Sequence, residues 1–108
     1  MAYLDTSKAE WKQTPVARVS AKELVMEDAG TAKLIRLEPG ASYPLHQHPD
    51  RSEYAYVLAG EPVLFDGETH HACRSGNVVT FPANTPHSLA NPGTTEVVLF
   101  VGAIIRPR

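Results

Sequence analysis

The sequence has a single cysteine, Cys73, among its 108 residues, so an internal disulfide bond is excluded. We interpret Cys73 as a half-buried strand residue, because its neighbours in sequence show no activating environment for a thiol. Strong charge of one sign is also missing: 12 acidic residues stand against 10 basic ones, for a net charge of −2. The basic residues are scattered rather than clustered, which argues against nucleic-acid binding.

Long hydrophobic stretches are absent as well. No apolar run approaches the length of about 18 residues that a membrane-spanning helix requires. The segment from Met1 to Lys12 is polar and lacks the apolar stretch of about 7–15 residues typical of a secretory signal. We therefore expect no membrane association and a cytoplasmic location.

The length of the chain predicts one domain spanning residues 1–108, because single cores rarely divide below about 250 residues. A hydrophobic fraction of 43% and a charged fraction of 20% are typical of a globular protein. A domain this small buries roughly two-thirds of its unfolded surface, so dimerisation would add stability. The run Val97–Ile105 is apolar on both faces, which predicts burial in a barrel and by a partner subunit or neighbouring segment.

The sequence contains nine prolines and seven glycines, and these residues interrupt it at short intervals. This spacing favours short strands and an all-β barrel or sandwich, with at most one helical turn at Ser7–Trp11, capped by Ser7. Asp66-Gly67 predicts a hairpin with a type I′ turn. The predicted strands are Arg18–Val19, Lys22–Glu27, Ala32–Glu38, Tyr43–His48, Glu53–Ala59, Glu61–Phe65, Thr69–Cys73, Asn77–Phe81, His87–Ala90 and Thr95–Ile105.

Histidines and one glutamate form the most informative pattern in the chain. His46 and His48 are two residues apart on a predicted strand, so their side chains share a face. After a predicted turn at residues 49–52, the next strand would run antiparallel beside the strand of His46 and His48. Glu53 would then lie opposite the two histidines on the neighbouring strand. His87, which opens a later strand after Pro86, is positioned to supply a fourth ligand.

Three imidazoles and one carboxylate suit a first-row divalent transition metal: Mn, Fe, Co, Ni, Cu or Zn. Calcium and magnesium prefer oxygen ligands throughout, and a structural zinc site would more often use several cysteines. Four protein ligands around an ion that prefers six leave positions for water or substrate. His70 and His71 are adjacent and point to opposite faces of a strand, so they cannot serve one site together.

These residues resemble the two sequence motifs of the cupin superfamily, over about residues 32–105. The first motif, G-x5-H-x-H-x4-E-x6-G, runs from Gly40 to Gly60 with every position filled. The second, G-x5-P-x-G-x2-H-x3-N, runs from Gly76 to Asn91. Asn84 replaces its usual glycine, and asparagine is the non-glycine residue best able to adopt a positive φ.

The resemblance implies a double-stranded β-helix, or jelly-roll barrel, preceded by an N-terminal arm over residues 1–16. It implies a metal near the barrel centre and frequent homodimerisation through the terminal strands. The motif residues Gly40, Gly60, Gly76, Pro82 and Asn91 are then expected to shape turns rather than contact substrate. The implied metal ligands are His46, His48, Glu53 and His87.

Three functions remain open from the sequence. The first is a metalloenzyme of dioxygenase, isomerase, lyase or decarboxylase type acting on a small oxygen-rich molecule, because an ion with open positions can bind such a substrate. The second is a metal-dependent module that binds or senses a small molecule without turnover. A metal-free scaffold is disfavoured, because all four ligand positions hold competent residues. We favour the enzyme, although its catalytic residues are unknown.

Few pocket residues can be assigned from sequence. Ala55 and Val57 follow Glu53 by two and four residues on one predicted strand, so their side chains face inward with it. This part of the pocket wall is therefore expected to be small and apolar. Lys33 and Arg36 lie on opposite faces of their strand, so at most one looks inward, and the sequence does not decide which. Strand tyrosines usually pack, and the weak candidates for a general base are Tyr43, Tyr54 and Tyr56.

Overall fold

The computed structural model describes residues 3–106, which are almost entirely β-structure. One 3-10 turn, Thr6–Lys8, precedes ten strands. The strands are β1 (Lys12–Gln13), β2 (Val19–Glu27), β3 (Gly30–Leu37), β4 (Ser42–His46), β5 (Arg51–Ala59), β6 (Val63–Phe65), β7 (His70–Ala72), β8 (Val78–Phe81), β9 (His87–Ala90) and β10 (Val97–Ile105).

The strands form two antiparallel sheets. The larger sheet has the order β1-β2-β3-β10-β5-β8, and the smaller has the order β4-β9-β6-β7. Strand β10 is central in the larger sheet, paired with β3 on one side and β5 on the other. The predicted all-β, jelly-roll class is confirmed, and the chain alternates between the sheets as such a fold requires.

The core lies between the inner faces of the two sheets. Ala55 and Val57 on β5, with Leu99 on β10, are fully buried, as the alternation of a half-buried strand demands. Leu64 and Leu89 complete the cluster from the smaller sheet. Each fully buried leucine or valine stabilises the fold by roughly 1.5–3 kcal/mol. The inward assignment of Ala55 and Val57 from sequence is confirmed.

Turn geometry confirms one expectation and corrects another. Asn84 has a φ of 58°, so it adopts the left-handed conformation anticipated for its position. A hairpin does join β6 to β7, but Gly67 has a positive φ of 104° and Asp66 does not, so the turn is not type I′. The reason is that the Asp66 carboxylate accepts hydrogen bonds from the backbone amides of Glu68 and Thr69, at 2.8 and 2.9 Å.

The N-terminal arm differs from the prediction in detail. The helical turn is Thr6–Lys8, not Ser7–Trp11, and its N-cap is Asp5, whose carboxylate accepts from the Ser7 amide at 3.0 Å. The chain is extended again from Lys12, because β1 pairs with β2.

Cys73 also departs from its expected position. It follows β7 rather than lying within it, and it is buried rather than half-buried, at 6% exposed. Its backbone amide donates to the Pro62 carbonyl at 2.9 Å, which holds the residue against the core. Burial raises the pKa of its thiol, which favours the unreactive protonated form.

Across residues 3–106, no helix has the length and apolar character that crossing a membrane demands.

Candidate metal centre

His46 and His87 form the base of the site, on adjacent strands of the smaller sheet. They are directly paired in the register between β4 and β9, and their ring centroids lie 4.2 Å apart. The His87 ring also stacks on Phe81 of the larger sheet, with centroids 4.6 Å apart and planes 17° from parallel. Phe81 thus packs in the site wall and fixes the orientation of a ring that is only 3% exposed.

His48 and Glu53 reach the site by routes that differ from the prediction. Strand β4 ends at His46, so strand alternation does not place His48, which lies in the loop before β5. Its ring nevertheless lies 5.1 Å from that of His46. Glu53 is not across a ladder from β4, because β5 belongs to the other sheet. The loop at residues 47–50 crosses between sheets, and the carboxylate therefore faces the imidazoles across the barrel interior.

The four side chains converge on one point. One ligand atom from each of His46, His48, Glu53 and His87 lies within 4.8 Å of all the others. Glu53 Oε1 is 3.2 Å from His87 Nε2 and 3.5 Å from His48 Nε2. Two ligands each about 2.1 Å from one ion stand roughly 3.0–4.2 Å apart. The two separations measured from Glu53 Oε1 already lie in this range.

Backbone carbonyls select the ring nitrogens that face this point. The Nδ1–H of His46 donates to the Pro44 carbonyl at 2.8 Å, and that of His87 donates to the Thr85 carbonyl at 3.0 Å. Each bond holds the proton on Nδ1 and directs Nε2 inward as the ligand atom. Such outer hydrogen bonds usually accompany metal-ligating histidines, because they fix the tautomer and increase ligand basicity.

The charges in the cluster stabilise one another. Burial raises the pKa of Glu53, but the hydrogen bond from His87 and the neighbouring imidazoles outweigh it and leave this pKa below its ordinary value. Burial lowers the pKa of His87, but the hydrogen bonds to Glu53 and Thr85 and the Glu53 charge raise it overall. For His46, burial dominates and lowers the pKa. A divalent ion competes with the proton shared by Glu53 and His87, so these atoms are suited to metal.

The cluster opens into a cavity of about 170 Å³ inside the barrel. A cavity of this size has room for ordered water or for a small-molecule ligand beside the four side chains. Lys33, not Arg36, lines the cavity, which decides the question left open by sequence. Arg36 lies on the outer face, where its Nε donates to Ser20 Oγ at 3.0 Å and its guanidinium lies over the Trp11 ring.

Further cavity residues escaped the sequence reasoning. Arg51 lines the cavity two residues before Glu53, so strand parity with Glu53 would have found it. Thr31 lines the same sheet face from strand β3, two residues before Lys33. Of the three tyrosines considered, Tyr43 lines the cavity, with its ring 4.8 Å from that of His46. Tyr54 and Tyr56 lie on the exposed outer face of the larger sheet, and they do not face the site.

The other conspicuous polar residues have structural roles. Asn91 is 1% exposed, and its side-chain amide donates to the carbonyls of Leu37 and Thr95, both at 2.9 Å. It therefore ties together the turn before β10, as expected. His71 contacts the Asp66 carboxylate at 2.7 Å, and His70 stacks on Phe65. Neither histidine joins the cluster.

Comparison with known proteins agrees with this architecture. The family described as the cupin domain matches residues 33–102. The oxalate-binding protein of Thermotoga maritima is 30% identical over 93 residues, which cover 86% of this chain and 76% of that protein.

Solved structures are similar over nearly the whole chain. A predicted oxalate decarboxylase of Thermotoga maritima has a TM-score of 0.88 at 24% identity, covering 95% of this chain and 98% of that one. A sugar phosphate isomerase of the cupin superfamily from Silicibacter pomeroyi has a TM-score of 0.82 at 26% identity, covering 97% and 76% respectively. The chain therefore belongs to the cupin superfamily.

Proposed function

We propose that this protein is a mononuclear metal-dependent cupin that binds a small oxygen-rich anion at its ion. The observation that carries the proposal is the convergence of four competent ligand atoms, from three stretches of the chain, on one point at a cavity in the barrel. The proposed ligands are His46, His48, Glu53 and His87. The donor set fits one first-row divalent transition metal.

The ion, when bound, supplies a Lewis acid with open positions for ligand oxygens. The protein supplies the surroundings. The Phe81 ring excludes water behind His87, and Leu89 and Val101 add apolar side chains to the cavity lining. Lys33 and Arg51 add positive charge to the cavity wall, so the lining as a whole favours an anion. The oxalate-binding relative supports a small carboxylate as the ligand.

Turnover of that ligand is the second part of the proposal. Four protein ligands leave an ion positions at which a bound anion can react. Tyr43 is the cavity residue outside the ligand set with an ionisable hydroxyl beside His46. Decarboxylase-type or dioxygenase-type chemistry on a small oxygen-rich substrate is the enzymatic form of this proposal, and binding without turnover is its alternative.

Metal loading followed by ligand titration tests the proposal. Protein loaded separately with Mn²⁺, Fe²⁺, Co²⁺, Ni²⁺ or Zn²⁺ is expected to retain about one ion per chain, and calorimetry should show oxalate binding to at least one loaded form. The same protein stripped with chelator is the control and should not bind oxalate. Release of carbon dioxide from oxalate, or oxygen uptake by the Fe²⁺ form, separates turnover from binding. Failure of every loaded form to retain metal would contradict the proposal.

We also propose a homodimer, formed through the outer face of the larger sheet. Tyr56 on β5 is paired with Phe100 on β10 and Val78 on β8, so the three side chains are neighbours on one face. Tyr56 is 40% exposed and Val78 is 53% exposed, although both are apolar. Ile104 on the same face of β10 is 57% exposed. A contiguous exposed apolar face of this kind is typical of a protein interface, and a small domain gains stability by covering it.

Replacing Tyr56 with aspartate is expected to convert the dimer to monomer, because two copies of the charge would be buried at the centre of the interface. Light scattering coupled to size-exclusion chromatography measures the mass directly. Leu45→Asp is the matched control, since Leu45 is 61% exposed on the smaller sheet. A monomeric wild-type protein at micromolar concentration, or a Tyr56→Asp variant that stays dimeric, would refute the proposed interface.

A further inference from the structure

Lys33, which lines the cavity, is not one of the four proposed metal ligands. Lys33 lies on β3 and faces inward with Thr31 and Ile35, all three lining the cavity. Lys33 is half-buried, and a lysine drawn out of water is usually paired with an opposite charge. Over residues 3–106, no carboxylate comes within the 4.0 Å ion-pairing distance of the Lys33 ammonium. Its register partner on β2 is Glu23, whose side chain is exposed.

The sheet register places Lys33 on the same inner face of the larger sheet as Glu53, with strand β10 between them. Lys33 is paired with Val101 on β10, and Glu53 is paired with Ala103 on the other edge of the same strand. Strands are about 4.8 Å apart and rise about 3.3 Å per residue, so the two backbones are separated by roughly 10 Å across and 7 Å along the sheet. The flexible four-carbon stem of lysine is long enough for its ammonium to reach into that interval.

Strand β10, which lies between Lys33 and Glu53, leaves the space between these two side chains open. Val101 and Ala103 are the inward residues of β10 between Lys33 and Glu53, and both are small. Thr31 lies in the same row as Ala103 and Glu53, and adds a hydroxyl to the wall on the lysine side. The cavity is therefore bounded by a metal-ligand cluster at one end and a hydroxyl with an unpaired cation at the other.

We propose that Lys33 is a specificity-determining residue that recognises the second negative charge of a short dianion held at the metal centre. The substrate class is a dicarboxylate of a few carbon atoms, with one carboxylate at the ion and its remaining charge directed at the Lys33 ammonium. Arg51 lies on the Glu53 strand and is hydrogen-bonded to Asp50 at 3.3 Å, so its charge is already partly compensated. This inference rests on the proposed function and narrows it.

A matched pair of ligands isolates the charge. Oxalate and glycolate can each offer two oxygens to one ion, but oxalate carries two negative charges and glycolate carries one. Calorimetric titration of the metal-loaded wild type with each ligand is expected to show tighter oxalate binding. In Lys33→Met, oxalate binding should weaken by at least about tenfold, since a charge-assisted hydrogen bond is lost. Glycolate binding should change by less than about threefold.

Controls separate this effect from damage to the fold or the metal centre. Metal content per chain, measured before each titration, should be unchanged in Lys33→Met. Lys33→Arg should retain most of the oxalate preference, because it keeps the charge. Lys12→Met removes an exposed positive charge that does not line the cavity, and it should leave both affinities unaltered. If the methionine variant does not take up metal, Lys33→Gln provides the same comparison with a polar side chain.

The outcomes distinguish the inference from the proposed function. Equal weakening of both ligands in Lys33→Met, or no weakening of either, would overturn the role of Lys33. Wild-type protein that binds metal but takes glycolate as tightly as oxalate would overturn it too, while leaving the metal-dependent binding function intact. Wild-type protein that takes up no metal would remove both.

Discussion

Replacing His87 with alanine is expected to abolish stoichiometric metal binding, from about one ion per chain to less than about 0.1. His87 is the most buried of the four proposed ligands, and its Nε2 lies 3.2 Å from the Glu53 carboxylate. Loss of an outer-shell partner alone typically weakens metal affinity by about 10–100-fold, so loss of a ligand should exceed that range. Elemental analysis after dialysis against chelator-free buffer measures the retained metal.

The control for this experiment is His70→Ala. His70 is exposed, stacks on Phe65 and lies outside the cluster, so this variant should retain metal at the wild-type level. The comparison therefore holds the residue type constant and changes only its position. Undiminished metal in His87→Ala would show that this histidine packs in the core without ligating, and would remove the proposed centre.

The second large effect concerns Gly60, which closes the first motif. Gly60 has a φ of 85°, and a Cβ atom there would lie 2.6 Å from the backbone oxygen of Glu96 and 2.8 Å from the Cα of Val97. A left-handed conformation costs a non-glycine residue about 1–2 kcal/mol, and overpacking against fixed backbone adds about 1–3 kcal/mol. Gly60→Ala should therefore lower the free energy of unfolding by about 2–5 kcal/mol, measured by urea denaturation.

Gly76 supplies a matched control for the steric component. Its φ is 94°, similar to that of Gly60, but a Cβ atom there would meet nothing within 4 Å. Gly76→Ala should cost only the conformational penalty of about 1–2 kcal/mol. Equal losses in the two variants would show that the chain at Glu96 and Val97 shifts aside, and that the close approach is not structurally required.

Much of the fold could be predicted because its signals are local. Alternating apolar residues and frequent turn formers indicate short strands wherever they occur, and Ala55 and Val57 are buried as their parity with Glu53 requires. The positive φ of Asn84 follows from the conformational preference of asparagine. The hairpin at Asp66-Gly67 was similarly visible, but its turn type depended on side-chain hydrogen bonds that pattern alone does not specify.

The sequence predicted which residues form the candidate site, but not which strands bring them together. His46, His48, Glu53 and His87 were selected by residue type and spacing, and the structure brings them within 4.8 Å of one another. The supposed ladder between the strands of His46 and Glu53 was wrong, because a connection of four residues after His46 crosses from one sheet to the other. Which strands pair is a long-range property, and the sequence on either side of a loop carries little information about it.

The sequence by itself determined the members of the candidate metal site and the β-rich class, because motif spacing and strand alternation can be read along the chain. The tertiary structure alone decided that Glu53 faces the histidines from the opposite sheet, and that Lys33 rather than Arg36 enters the cavity. Opposite faces of a strand are equivalent until a second sheet covers one of them. The closure of two sheets over a common core therefore selected the inward side chains and, with them, the charge of the cavity.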